Sequence, residues 1–417
     1  MSMEDTNAKT TLSMIDQRGL LISMGVLTLL ISALVQYLSQ GTVLFLRAEG
    51  HSSEIIGLVF LASVPWILKF LWAPVVDRWG HSRLGHYKGW VLGTQLALVI
   101  GVLGLAFVDP GYRPLSLISA LVVLTIILST QQTALFGLVG TYLHPEKRPF
   151  GMSVQAVAFA LASVFVGGGI LYVFGDFGWM TSTLAMSVLM AAGLVLIFAL
   201  ELDKGQTVSA PPPSLAGQFS MFRHRGPRRL LMIAVLTNFG GAATFGLQSI
   251  LLIDAGYSVS EGALISVVAT GLVGIVGAAI SGVIVIRVGP FLAIALAALC
   301  IFTVCIIYGV FAESDSLIWL LPTVILANSF FMYALMPATK TALLRHCEPG
   351  RAATDYTTFA AGEAVFFMGG MALAASVADS VEPGLLFVIY AALTLGGGLA
   401  AFFEHRKTQR DALETAP

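Results

Sequence analysis

The chain has 417 residues, of which 57% are hydrophobic and only 11% are Asp, Glu, Lys or Arg. Soluble domains carry about 25% charged residues, so the polar surface that two or three soluble domains would need is missing, which excludes an ordinary cytosolic enzyme, a disulfide scaffold and a disordered protein. A formal net charge of −1 offers no basic field to nucleic acid, and Cys300, Cys305 and Cys347 have neither zinc nor disulfide-framework spacing.

The first residues, Met1–Gln17, are polar and partly acidic without a basic n-region, which predicts no cleaved signal peptide. Runs of about 20 apolar residues are needed to cross the hydrocarbon layer as helices. Six follow in order: Leu20–Leu46, Glu54–Val76, Gly89–Val108, Pro114–Tyr142, Gly151–Phe174 and Trp179–Leu200. After a polar stretch come six more: Leu230–Ile253, Glu261–Ile286, Pro290–Val310, Leu317–Thr341, Tyr356–Ala378 and Gly384–Phe403. The pattern predicts an all-α integral membrane protein of twelve transmembrane helices. Its two six-helix halves are residues 1–200 and 230–417, joined by a cytoplasmic linker at 201–229. That linker contains Pro211-Pro212-Pro213 and the basic run Arg223–Arg229, the composition of a flexible tether whose cations lie near lipid headgroups.

Basic residues set the direction. With both termini in the cytoplasm, the cytoplasmic side holds Lys9, Arg18, Arg78, Arg83, Lys88, Lys147, Arg148, Lys204, Arg223, Arg225, Arg228 and Arg229. It also holds Arg287, Lys340, Arg345, Arg351, Arg406, Lys407 and Arg410, making nineteen of the 22 Lys and Arg. Arg47 and Arg113 fall outside and Lys69 lies within a span, a bias that supports both the orientation and the even span count.

A weak repeat relates the halves. The loop after span two reads Ala73-Pro74-Val75-Val76-Asp77-Arg78-Trp79-Gly80-His81-Ser82-Arg83, and the loop after span eight reads Gly282-Val283-Ile284-Val285-Ile286-Arg287-Val288-Gly289, offset by 209 residues. Repeated halves are a transporter signature, with a substrate site near the midplane. The first copy resembles the G-x-x-x-D-R-x-G-R-R loop of the major facilitator superfamily, with Ala73, His81 and Ser82 as departures; the second copy has lost the acid. An acid such as Asp77 near a helix end can accept hydrogen bonds from a neighbouring helix N-terminus and latch the halves. Gly80 permits the turn.

Further stretches resemble the AmpG-like branch of that superfamily. Pro65-Trp66-Ile67-Leu68-Lys69-Phe70-Leu71-Trp72-Ala73-Pro74-Val75-Val76-Asp77-Arg78 is similar to its P-Y/W-x-x-K-F-L-W-x-P-x-x-D-R, and Lys88-Gly89-Trp90-Val91-Leu92-Gly93-Thr94-Gln95 to its R-G-W-L-L-x-T-Q. Ser129-Thr130-Gln131, Gly151-Met152-Ser153-Val154-Gln155 and Ala353-Thr354-Asp355-Tyr356 extend the likeness into later spans. Muropeptide permeases follow T-Q with D-I-A-x-D, whereas this chain reads Gln132-Thr133-Ala134-Leu135-Phe136, without either acid. The chain also lacks the additional helices of some muropeptide permeases. The Ala-Thr-Asp-Tyr variant and compact length resemble RhtX/FptX-type siderophore importers. That resemblance implies proton-coupled import of a siderophore, or its ferric complex, across a bacterial inner membrane. Two alternatives are an AmpG-type muropeptide permease and an exporter of a small amphipathic compound.

Ionisable residues inside spans are functional candidates by default. Lys69 and Glu363 lie about 12 and about 13 Å from the cytoplasmic ends of spans two and eleven, and those spans face one another in the superfamily. A Lys69–Glu363 pair would close the cytoplasmic side, and protonation of Glu363 would loosen it; alternatively Lys69 snorkels and Glu363 is a structural acid. Asp77, Arg78, Gly80 and Arg83 complete the gating set. Candidate substrate contacts are Gln36 and Gln40 on one face of span one, Asn238 and Phe245 in span seven, Asn328 in span ten, and Tyr356 and Phe367 beside Glu363. Trp66, Gln131, Gln132 and Tyr333 are weaker ones, and any of these polar groups can instead serve helix packing. Aromatic and amide groups suit a flat, largely apolar chelate. Gly167-Gly168-Gly169, Gly271, Gly274 and Gly277 favour close helix contact over binding.

An enzyme would need a constellation that His144, Glu146, His346 and Glu348 do not form, and no P-loop is present for ATP. The expectation is therefore no catalytic or metal site and no cofactor: a proton gradient supplies the energy, and iron enters only as part of the substrate. The partners are lipid, protons and a small molecule, with a monomer as the superfamily default.

Overall fold

Membrane-spanning chain has no water to satisfy its backbone, so it must bond to itself. Accordingly, regular structure among the described residues is helical. The computed structural model describes residues 17–48, 50, 55, 58–59, 62–80, 84–108, 114–166, 171–199, 215–258, 261–262, 264–311, 320–348, 351–377 and 382–414. The helices are α1 (Gln17–Gln36), α2 (Thr42–Ala48), α3 (Val64–Leu68), α4 (Ala73–Arg78), α5 (His86–Leu105), α6 (Pro114–Tyr142) and α7 (Arg148–Phe165). They continue as α8 (Leu171–Ala199), α9 (Arg225–Asp254), α10 (Thr270–Val288), α11 (Pro290–Phe311), α12 (Leu321–Leu344), α13 (Ala352–Val377) and α14 (Pro383–Glu414).

Among the described residues, ten helical stretches are long and apolar enough to cross a membrane. The two expected spans not among them fall on α3–α4 and on α9. In the first, Pro65 and Pro74 each stand in the first turn of a helix, and a 3-10 turn, Lys69–Leu71, separates α3 from α4. Pro74 has no N–H to give the carbonyl four residues earlier, and its ring clashes there, so one continuous span is broken in two. Span one is also irregular: a π-helical turn, Tyr37–Gly41, joins α1 to α2. Gly178, at φ 75°, divides α8 in a backbone conformation that a side chain would strain.

The chain forms two compact units. The first comprises Met1–Lys147, Phe165–Met221 and Cys347–Ala361, and the second Arg148–Val164, Phe222–His346 and Gly362–Pro417. Contact grouping thus departs from chain order at two places, α7 and the start of α13.

Within the first unit, α5 packs on α6 and α8, and α1 on α6 and α8. Its interior contains amides and hydroxyls: Gln131 Nε2 donates to Gln95 Oε1, and Gln95 Nε2 to the Met190 carbonyl at 2.6 Å. Tyr37 Oη and Thr183 Oγ1 share a hydrogen bond of 2.7 Å. Meanwhile Val188, Val195 and Phe198 on α8 are 71%, 70% and 67% exposed. Buried amides beside exposed aliphatic groups invert the water-soluble pattern, as expected where hydrocarbon is the solvent.

Within the second unit, α11 packs on α14 and α12, and α10 on α12. Here α10 presents glycines to two neighbours. A Cβ on Gly277 would lie 2.3 Å from the Phe330 carbonyl oxygen of α12, and one on Gly274 would meet the Tyr333 ring. Gly271 and Gly282 similarly meet Val164 and Ser153 of α7. These contacts draw α7 into the unit. Gly167, Gly168 and Gly169 lie outside the described residues.

The middle loop is not all tether. Its Leu215–Arg223 segment forms a 3-10 helix with Met221 buried, and the Phe219 ring stands 6.1 Å from that of Phe70. Gly277→Leu should cost about 1–3 kcal/mol, because overpacking there pushes on backbone. The control Gly104→Leu, whose Cβ meets nothing within 4 Å, should leave the melting temperature in detergent unchanged.

Candidate functional site

In the first unit, Asp77 closes α4 and is 4% exposed. Its Oδ2 accepts the backbone N–H of Thr354, in the first turn of α13, at 2.8 Å, and its Oδ1 accepts from Tyr87 Oη at 2.6 Å. A carboxylate on the open N–H groups of a helix N-terminus is favoured both by those bonds and by the helix dipole. Burial pushes the Asp77 carboxyl up, and the bonds from Thr354 and Tyr87 pull it back. Two glycines make room for this arrangement. A Cβ on Gly137 would lie 2.3 Å from the Tyr87 ring, and one on Gly80 would lie 2.0 Å from His86 Nδ1. The His86 ring in turn contacts Tyr87 edge-on and shares a 3.0 Å hydrogen bond with the Val76 carbonyl. Beside Asp77, Arg351 pairs with Asp355 at 3.5 Å and donates to the Gly217 carbonyl at 2.9 Å.

Lys69, 5% exposed, sits in the 3-10 turn before α4. Its Nζ donates to Gln132 Oε1 and lies 4.4 Å from the centre of the Trp66 ring and 5.8 Å from that of Phe136. Tyr356 stacks on Phe136 with centroids 4.0 Å apart. The contacts of this buried cation thus include an amide and two aromatic faces.

In the second unit the acid is Glu363 of α13. Its Oε2 pairs with Lys340 Nζ of α12, and its Oε1 accepts from Asn238 Nδ2 of α9 at 3.1 Å. The side chains of Lys340 and Glu363 are 11% and 14% exposed. Both charges are removed from bulk water and compensate each other, so losing either removes a full countercharge from beside the other. Phe245 and Phe367 meet edge-on with centroids 5.9 Å apart. Asn328 is fully buried, and neither of its amide atoms has a hydrogen-bond partner.

A sequence description of the Major Facilitator Superfamily matches residues 19–360. The chain belongs to the Major Facilitator Superfamily. Its described helices are those of a multi-pass membrane protein of that superfamily. The anhydromuropeptide permease of Escherichia coli strain K12 is 28% identical over 274 residues, covering 63% of this chain and 55% of the permease. This chain therefore spans about half the length of that relative. Among solved structures, the E. coli fucose:proton symporter superposes with a TM-score of 0.71 at 14% identity, over 92% of this chain and 98% of the symporter chain. A human organic anion transporter gives 0.66 at 18%, over 93% and 99%. At such identities the likeness is one of fold.

Several residues singled out by sequence fall into these facilitator clusters, though not always with the expected partner. The cation on Glu363 is Lys340, which the orientation argument had counted in the cytoplasmic loop, and Lys69 is engaged by Gln132. Lys340 escaped notice because it stands near a span end beside Arg345 and Arg351, where a cytoplasmic cation is ordinary. Its four-residue distance from Leu344 was the available signal. Gln131 is wholly buried against Gln95, and Tyr333 fills the space above Gly274. Gln36 ends α1 half-buried, but the π-helical turn after it alters the α-helical spacing on which a shared face with Gln40 rested. The Gln40 side chain and all of Arg83 lie outside the described residues, while Arg78 is exposed at the end of α4. Tyr87 and Gly137 carried no motif that marked them.

Asp77→Ala should raise amide hydrogen exchange across residues 352–358 and cost about 1–3 kcal/mol, since it strands the Thr354 N–H. Tyr87→Phe, which keeps that bond, should change the same amides far less. Unaltered exchange in Asp77→Ala would remove the anchoring role.

Proposed function

We propose that this facilitator carries an anhydromuropeptide, or a closely similar solute, inward across a bacterial inner membrane by proton-coupled alternating access. In this reading the chain has twelve spans and both termini in the cytoplasm. What supports the substrate class is the 28% identity to the E. coli permease, which favours muropeptide transport over the siderophore import suggested by motif and length. The coupling rests on Glu363, the acid inside α13 with a lysine on one oxygen and an amide on the other.

The chemistry follows from charge balance. With Glu363 ionised, Lys340 is neutralised and the pair is stable away from water. Protonation removes that negative charge from beside the Lys340 ammonium, in a site where buried charge is costly. The arrangement of α12 around that ammonium must then change, or an anionic group of the substrate must replace the carboxylate. Either outcome links proton occupancy to the state of the helices, as a secondary transporter requires. Asn238 retains Glu363 near its place through the change.

One observation favours the siderophore alternative. Lys69 touches Gln132 and Phe136, the two positions where the muropeptide permease pattern has acids. A neutral amide and a ring there suit a less polar solute.

Uptake into right-side-out and inverted vesicles would separate these readings. Anhydromuropeptide should accumulate under an imposed pH gradient. In Glu363→Gln that accumulation should fall about tenfold or more, while gradient-independent exchange of solute persists and shows that the protein is folded. Gradient-driven uptake of ferric phenolate siderophore alone would transfer the protein to iron uptake, and net efflux would favour the exporter. Full accumulation by Glu363→Gln would reject Glu363 as the coupling acid.

A further inference from the structure

The first unit carries a groove beside the Asp77 cluster, which shares Gly80 with it and does not include Asp77 or Lys69. It has a volume of about 520 Å³ and is lined by Trp79, Trp90, Gly93, Thr94, Ile126 and Thr130, among others. Its walls are α5 and α6, both long and apolar enough to cross a membrane. The groove has hydroxyls but does not offer them. Thr94 Oγ1 donates to the Trp90 carbonyl at 2.7 Å, and Thr130 Oγ1 donates to the Ile126 carbonyl at 2.7 Å while accepting from Trp72 Nε1 at 3.0 Å. The lining is therefore apolar in effect. Gly93 leaves its floor open, because a Cβ there would meet nothing within 4 Å. On either side Leu96, Ile100 and Val123 are exposed, so the groove opens within an apolar surface.

One end differs. Trp79 is 62% exposed, its carbonyl held by Trp90 Nε1, and the neighbouring Arg78 is also exposed. Two indoles and a guanidinium at the end of apolar helices form an interfacial boundary, where rings lie at headgroup level and cations meet phosphate. An occupant that fits presents a long apolar part to the groove and a negative charge toward the end where exposed Arg78 precedes the lining residue Trp79.

We propose that this groove is a lipid site, holding one acyl chain of an anionic glycerophospholipid with its phosphate on Arg78. A chain lying between α5 and α6 replaces side-chain packing that Gly93 omits. The hydroxyls of Thr94 and Thr130, already bonded, exact no desolvation cost when hydrocarbon covers them. The site is independent of the transported solute, since none of its lining residues belongs to the Lys69 or Glu363 clusters.

Native mass spectrometry of the full-length protein, titrated with palmitoyl-oleoyl phosphatidylglycerol or phosphatidylcholine, tests this. Phosphatidylglycerol should be retained preferentially by the unmodified protein. In Gly93→Leu, which fills the groove with methylenes, retention should fall about tenfold or more. Arg78→Gln should abolish the preference for phosphatidylglycerol while some lipid remains bound. An unchanged melting temperature in Gly93→Leu would show that the fold survives. Chain-brominated phosphatidylglycerol should quench indole fluorescence, and less so in Trp90→Phe. Equal retention of both lipids by the unmodified protein, or undiminished phosphatidylglycerol retention in Gly93→Leu, would overturn the proposal.

Discussion

A buried carboxylate that must find hydrogen bonds organises the first unit. Asp77 reaches across 277 residues of sequence to the N–H of Thr354 and takes a second bond from Tyr87. The carboxylate satisfies an open N–H at the start of α13, and the start of α13 satisfies the carboxylate; neither end of the bond is stable when buried alone. The geometry then spreads outward. Tyr87 can stand beside Asp77 because Gly137 leaves space for its ring, and His86 can brace Tyr87 because Gly80 leaves space for its own. One bond thus accounts for two glycines, a tyrosine and a histidine. With the Tyr356–Phe136 stack and the Arg351–Gly217 bond, it holds Cys347–Ala361 in a unit otherwise drawn from earlier parts of the chain.

Cations are handled in two different ways. Lys69 and Lys340 are 5% and 9% exposed, so each must be compensated inside the protein. Around Lys340 the compensation includes a full charge, the Glu363 carboxylate. Around Lys69 it includes an amide dipole and the faces of Trp66 and Phe136, groups that do not titrate. The same side chain thus stands in two different settings, one that includes a charged partner and one that includes an amide and two rings.

The membrane class and most of the spans were legible in the sequence because hydrocarbon imposes a length and a composition that few other constraints mimic. The broken stretch at α3–α4 was less so. Its apolar content reads as one span, while Pro74 acts through a missing N–H that composition averages away. Asp77 was legible through its motif, which is local. Its support by Tyr87 and Gly137 was not, since it depends on how α5 meets α6. For Glu363, depth along the helix could be counted, but depth does not name a partner: Lys69 and Lys340 are both cations near a helix end, and only packing distinguishes them. The docked part of the middle loop illustrates the same limit, because Arg351 binds the Gly217 carbonyl, a group every residue has.

Under the proposed proton coupling, these environments distinguish the two acids. Burial pushes the Asp77 carboxyl up, but its partner is a backbone N–H in the first turn of a helix, a donor that cannot turn away, beside a dipole that favours the ionised form. A proton there would forfeit both the helix N-terminus and the Tyr87 bond, and with them the anchoring of α13. Glu363 is held instead by two side chains, Lys340 and Asn238. A lysine has a flexible four-carbon stem and three rotatable donors, so it can leave one acceptor and reach another without breaking a helix. Asn238 can remain on the neutral acid, because a protonated carboxyl still offers an acceptor to its amide. A carboxyl that exchanges partners at small structural cost can cycle, whereas one that anchors a helix can only hold or fail. The division of labour proposed for Asp77 and Glu363 rests on what each is bonded to.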